Sequence, residues 1–176
     1  TWYVGFSNTR HDQSIAIVDH NGREVFAEAT ERFIQVKRAW GVPPDIAGHL
    51  AHAIDQTDFE IGKDRFEICT CWKSVQSRPA DARKNPLMSD NQVSALSSYQ
   101  ASQFELSGAA FRLLDIAHEP IEVRQFEHHS CHAATAVHFS DAQDGACLVI
   151  DGEGETGAVS QFNISNRRLK RDWRSW

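Results

Sequence analysis

Glu127-His128-His129-Ser130-Cys131-His132-Ala133-Ala134, followed after one apolar run by Ala146-Cys147-Leu148-Val149-Ile150-Asp151-Gly152-Glu153-Gly154-Glu155, is the stretch on which the reading of this chain turns. Residues i and i+4 share one face of a helix, so a helical first segment points His128 and His132 the same way, one turn apart. Such a pair is a bidentate clamp for a metal ion. The second segment is an apolar strand ending in a carboxylate and a glycine-rich acidic turn, which offers Asp151 as a third ligand. Neutral imidazole suits borderline divalent metals, a carboxylate adds charge neutralisation, and three protein ligands leave coordination positions open. An HxxxH pair alone also describes an ordinary helix face. Acidic and glycine residues directly after a fully apolar strand, however, are poorly explained by packing, and they favour a metal or phosphate site. Gly152 and Gly154 let backbone approach an anion, whereas Glu153 and Glu155 repel one unless a cation lies between, so metal and anion are expected together.

Composition narrows the function classes. The 176 residues are 41% hydrophobic, enough for one ordinary domain or one and a fraction, and the formal charge of -6 with a pI near 5.8 argues against a general nucleic-acid binder. Cys69, Cys71, Cys131 and Cys147 lack CxxC spacing, and a reduced, cytoplasmic protein is expected. Cys69 and Cys71 share one face of a strand-like run, a weak metal signal without further ligands. No membrane association is expected, since no run approaches the roughly 18 apolar residues of a span and the N-terminus has no basic-then-apolar signal. Thr1 in place of an initiator methionine points to a trimmed or processed start.

From the N-terminus, Trp2 to Phe6, Ser14 to Asp19 and Glu24 to Ala29 read as three consecutive antiparallel strands, the last two joined at Asn21-Gly22. The polar segment Ser7 to Gln13 lies in the first turn, where residues either face a ligand or are simply solvated. After Pro43-Pro44, a helix is expected over Asp45 to Gln56, with Ile46, Leu50 and Ile54 in helical spacing and His49 and His52 as surface or packing residues. Phe66 to Trp72 alternates as a strand. Lys73 to Asp90 reads as a long loop, one or two helices follow up to His118, and Ile121 to Phe126 is a short strand that hands over to the histidine helix. Side chains at such strand ends are held rigidly at a sheet rim, a recurrent place for sites in α/β folds. Gly157 to Ile164 is another strand, turned at Ser165-Asn166, with a further one beginning near Leu169. Two parts are expected: 1–143, holding the HxxxH clamp, and 144–176, the opening strands of a second, incomplete subdomain.

Taken in order, His11-Asp12-Gln13-Ser14-Ile15-Ala16, Glu31-Arg32-Phe33, His128-His129-Ser130-Cys131-His132-Ala133-Ala134 and Asp151-Gly152-Glu153-Gly154-Glu155 resemble the N-terminal part of the antibiotic and nodulation-factor O-carbamoyltransferases. The chain departs from that pattern at Ser130-Cys131, Gln13 and Ile15. The resemblance implies an α/β, actin/Hsp70/sugar-kinase-like (ribonuclease H-like) fold, related to the tRNA threonylcarbamoyl-transfer protein, with a second half and a YrdC-like domain normally following. It further implies transfer of a carbamoyl group from carbamoyl adenylate, made from carbamoyl phosphate and ATP, to a hydroxyl of a small-molecule acceptor. By motif position, His128, His132 and Asp151 would hold a divalent metal, expected to be Fe(II), with a further carboxylate from the missing C-terminal half or a partner chain. His11 would contact the carbamoyl group or act as base toward the acceptor, with Asp12 orienting it. Arg32, His129, Gly152, Glu153 and Gly154 fall on the substrate side, although Arg32 equally suits an ion pair with Glu28 or Glu31. Two other readings stand beside this one: a non-catalytic metal- or nucleotide-binding module of a larger complex, and tRNA threonylcarbamoyl transfer.

Overall fold

The structure is a computed structural model and describes residues 1–7, 11–42, 48–60, 62–73, 123–154 and 157–175. The expected long loop after Lys73, the helices up to His118, Ile46 and Glu155 lie outside these residues. The chain divides into two compact units, Thr1–Cys71 with Ser94–Gln125, and Trp72–Val93 with Phe126–Trp176.

The first unit is built on a five-stranded sheet in the order β3-β2-β1-β4-β5. Strand β1 (Trp2–Ser7), strand β2 (Ser14–Val18) and strand β3 (Glu24–Ala29) form the antiparallel meander, and β4 (Phe66–Thr70) and β5 (Val123–Gln125) run parallel to β1. This mixed sheet with helices between its strands is an α/β architecture, as the sequence led us to expect. Alternation decides which side chains go inward: Trp2, Val4 and Phe6 of β1 are buried, as are Ile15 and Ile17 of β2. Register then lines up one apolar row across all strands, Phe26–Ile17–Val4–Ile68–Val123. Helix α2 (His49–Asp55) brings Leu50 and Ala53 onto this row, and both are fully buried. Its fully buried His49 bonds Glu28 (3.2 Å) and Thr30 (3.3 Å) and stacks on Phe33, so it is a packing residue. Helix α1 (Thr30–Phe33) is a single turn directly after β3.

The β2–β3 connection is a hairpin, but Asn21-Gly22 does not form the two-residue turn that this pair usually signals. The Asp19 carboxylate instead accepts from Asn21 N–H (2.8 Å) and Arg23 N–H (3.0 Å), and Gly22 takes the left-handed conformation at φ 81°.

The second unit is a three-stranded antiparallel meander, β6 (Gly145–Gly154), β7 (Gly157–Ser165) and β8 (Arg168–Ser175), covered on one face by helix α3 (His128–His138). Asn166 and Arg167, with φ of 48° and 59°, make the tight two-residue β7–β8 turn. Ala133 packs against Val149 and Phe162, with Cys147 and Leu169 alongside. These contacts group α3 with the strands that follow it, whereas the sequence reading drew its division at 143/144. No helix among the described residues is long and apolar enough to cross a membrane.

Ile68 is fully buried in β4, between two hydrogen-bonded neighbours. Ile68→Ala is therefore expected to lower unfolding free energy by about 2–5 kcal/mol, read as a fall in urea midpoint at unchanged slope, while Val36→Ala on the surface stays within about 0.5 kcal/mol.

Candidate functional site

Helix α3 begins where Glu127 leaves extended backbone and caps it, its carboxylate accepting from both the Ser130 N–H (2.8 Å) and the Ser130 hydroxyl (2.8 Å). That start fixes the faces of the helix. His129, Ala133 and Val137 form the buried stripe, and His128 and His132 lie on the neighbouring one. Strand β6 supplies the third group. Ile150 pairs with Val159 and Gly154 with Gly157, so residues 151–153 face Ala158 alone and are pushed out of the ladder as a bulge.

The bulge brings Asp151 to the helix. Its Oδ2 lies 2.9 Å from His128 Nε2 and 3.4 Å from His132 Nε2, and the two ring nitrogens are 3.1 Å apart. Ligand atoms of these residues all lie within 4.8 Å of one another, a grouping shared by no other set of three or more His, Cys, Asp or Glu among the described residues. Three atoms that are acceptors in their ligating states cannot crowd together without protons or a cation between them. Two imidazole nitrogens and a carboxylate oxygen this close together are a donor set that suits one divalent cation, which His128, His132 and Asp151 would hold between them. Trp72 stacks on the His128 ring at 4.8 Å and leaves that imidazole mostly covered, while His132 is half exposed.

Electrostatics favour the carboxylate form. Burial pushes the Asp151 carboxyl up, but the Gly152 N–H (2.6 Å) and the adjacent His128 outweigh it and hold its pKa below the usual range. Glu127 behaves alike: burial raises it, and the Ser130 hydrogen bonds and the Arg171 guanidinium more than offset this. His129 is lowered, chiefly by burial, and so stays neutral near pH 7. The Cys69 thiol is raised, first by burial and then by Glu67, so it remains protonated and is a poor ligand.

The other sequence candidates lie in different places. Gly152, Glu153 and Gly154 form the end of β6. His129 is fully buried, its Nδ1 2.8 Å from the hydroxyl of Ser160. In the first unit, His11 Nδ1 and Asp12 Oδ2 are 2.6 Å apart, and Asp12 holds the left-handed conformation at φ 57°. Its N–H donates to the Arg38 carbonyl (3.1 Å), and the Arg38 N–H donates to the Glu31 carboxylate (2.6 Å), so the turn after α1 braces the dyad. Arg32 is exposed, with Nε 3.6 Å from Glu31. Sequence reasoning missed Trp72, Ser160, Arg171 and Trp40, whose ring lies 5.0 Å from that of His11. Only tertiary pairing connects these residues to the motifs, and no spacing signals them.

A family profile described as Carbamoyltransferase N-terminus matches residues 3–173. The chain belongs to that family. Solved structures add fold likenesses: the ethanolamine utilization protein EutJ from Carboxydothermus hydrogenoformans is 14% identical with a TM-score of 0.39, covering 100% of this chain and 53% of that one. A ROK family glucokinase from Streptomyces griseus, in complex with glucose and AMPPNP, is 18% identical with a TM-score of 0.38, covering 98% and 46%. The chain thus spans about half the length of these structures. A search of curated proteins finds no significant match.

Because the Glu127 pKa is lowered on folding, its contribution to stability is complete above the ordinary glutamate pKa of about 4.3 and is lost as pH falls through the lowered value. Acid unfolding should therefore begin at higher pH than in Glu127→Gln, measured relative to each protein's own neutral-pH stability, and the variant should lose about 1–3 kcal/mol at pH 7. Parallel acid-stability curves for the two proteins would refute this.

Proposed function

We propose that this chain is the metal-bearing N-terminal part of an O-carbamoyltransferase of the antibiotic or nodulation-factor type. The acceptor is a small molecule with a reactive hydroxyl, and the donor is carbamoyl adenylate made from carbamoyl phosphate and ATP. The observation that carries this reading is the convergence of His128, His132 and Asp151 in a chain of the carbamoyltransferase family.

In the second unit, His128, His132 and Asp151 are the residues that would hold a divalent metal. Iron(II) is the choice implied by the family resemblance, with a further carboxylate from sequence beyond this chain. The bound ion would supply Lewis-acid neutralisation of charge on a phosphate or carbamoyl oxygen. Gly152 carries no side chain and has open space where one would stand, so backbone at the bulge can approach an anionic donor closely. Asp151, kept ionised, balances the cation.

In the first unit, Asp12 holds the Nδ1 proton of His11 and leaves the lone pair on Nε2, the nitrogen that takes a proton. His11 accepts the proton of the acceptor hydroxyl while the oxygen bonds to the carbamoyl carbon and AMP departs with the electrons of the broken C–O bond. The left-handed backbone at Asp12 and its tie to Arg38 fix the direction of the dyad. Arg32, exposed and only loosely paired with Glu31, supplies positive charge for an anionic substrate group.

Acceptor-dependent release of AMP by the intact protein, supplied with ATP, carbamoyl phosphate and a panel of hydroxyl compounds, tests the reading. His11→Ala should lower this transfer about 10²–10⁴-fold with the adenylate-forming step unchanged. Elemental analysis should find a divalent metal that is lost in the His128→Ala/His132→Ala variant. Metal content that survives both substitutions would sink the metal assignment, and absence of carbamoylated product would sink the activity.

A further inference from the structure

His129 stands in sequence beside one candidate ligand and three residues before another, yet its ring enters the helix–sheet interface. It is fully buried, and its Nδ1 is tied at 2.8 Å to the hydroxyl of Ser160 on β7, also fully buried. On the far side the ring meets the backbone of Gly154. A β-carbon placed on residue 154 would lie 2.6 Å from Nε2, 2.8 Å from Cδ2 and 3.0 Å from Cε1 of His129. Three ring atoms are involved, and Ser160 holds the ring from behind, so the imidazole has no simple retreat. Nε2 has no hydrogen-bond partner among the described residues. A buried polar atom left so is a cost, and an apolar ring would avoid it. What the imidazole provides is the Ser160 bond at one end and a flat, fixed edge at the other.

Gly154 is where the ladder resumes after the bulge, and the residues pushed outward begin with Asp151. The distance between α3 and this segment is therefore set where the His129 ring touches Gly154. We infer that His129 is a positioning residue: it acts as a rigid spacer between α3 and Gly154, and so places Asp151 against His128 and His132. The inference rests on the proposed metal reading for its purpose, but the geometry it asserts exists without metal.

A double-mutant cycle on the intact protein tests it, with Gly154→Ala, His129→Ala and the two combined. Two readouts are followed. In metal-free protein, nitrogen-15 shifts of the His128 ring report its hydrogen bond to Asp151. With added cobalt(II), visible absorbance reports affinity. Gly154→Ala should lose the His128–Asp151 signature and weaken cobalt about tenfold or more, His129→Ala alone should weaken both as well, and the double variant should match His129→Ala to within about threefold, with no further loss from the added methyl. Wild-type readouts in Gly154→Ala, or effects that simply multiply in the double variant, would overturn the inference. If wild-type protein binds no cobalt, the metal reading fails and the nitrogen-15 arm decides the spacer role by itself. If Gly154→Ala does not fold but the double variant does, the clash is with His129, as inferred. If neither folds, Ser160→Ala decides: a folded variant with a disturbed His128 signature supports the spacer, and an undisturbed one refutes it.

Discussion

Helix α3 is held at both ends by arginines from one hairpin. At its start the Arg171 guanidinium pairs with the capping carboxylate of Glu127 and lies over the Phe162 ring at 5.0 Å. At its end Arg167 donates to the carbonyls of Val137 (2.7 Å) and His138 (3.2 Å) in the last turn and of Ser140 (3.0 Å) just beyond it. The lengths suit each other: the four steps from Arg167 to Arg171 span about 13 Å, and the ten steps from Glu127 to Val137 rise about 15 Å. The helix needs this. Its buried stripe is only His129, Ala133 and Val137, too little apolar surface to hold eleven residues in place by hydrophobic burial.

Because the clamp is built from charge and hydrogen bonds, the stripe of α3 beside the buried one is free to carry imidazoles. A helix docked by a broad apolar face would have had Leu or Ile near positions 128 and 132. Here arginines at the two ends share the docking with a narrow buried stripe, and the neighbouring stripe carries the two histidines. In the first unit the His11–Asp12 pair is likewise tied by hydrogen bonds, Asp12 N–H to the Arg38 carbonyl and Arg38 N–H to the Glu31 carboxylate, with the Trp40 ring beside His11.

Local sequence carried much of this. The β1–β3 meander was legible because Trp2, Val4, Phe6, Ile15 and Ile17 alternate inward, and periodicity reports burial directly. The pairing of His128 with His132 was legible because helix geometry is known in advance, and Asp151 stood out as the first carboxylate after an apolar run, although the bulge that turns it toward the helix was not legible. The hairpin at Asn21-Gly22 was legible as a turn but not in its form, since the Asp19 carboxylate competes for the backbone donors. What stayed hidden depends on pairing across the chain. Nothing near Ser160 announces that it will meet His129, and Arg167 and Arg171 look like solvated charges on a polar strand until the helix is laid beside them. The helix itself was read with the strands before it, because nothing local distinguishes that from docking on the strands after it.

The bulge in β6 has a consequence for how chains of this kind differ from one another. Three residues stand opposite one between two ladder pairs, Ile150–Val159 and Gly154–Gly157, so the sheet counts the outward segment at both of its ends. With the two ladder pairs kept, removing one residue from 151–153 would change the side on which the remaining residues emerge. Two relatives could then share this backbone almost atom for atom, and even the same three ligand types, with only one able to bring them together. For such chains the number of residues between the two pairs tells more about chemistry than the overall superposition does.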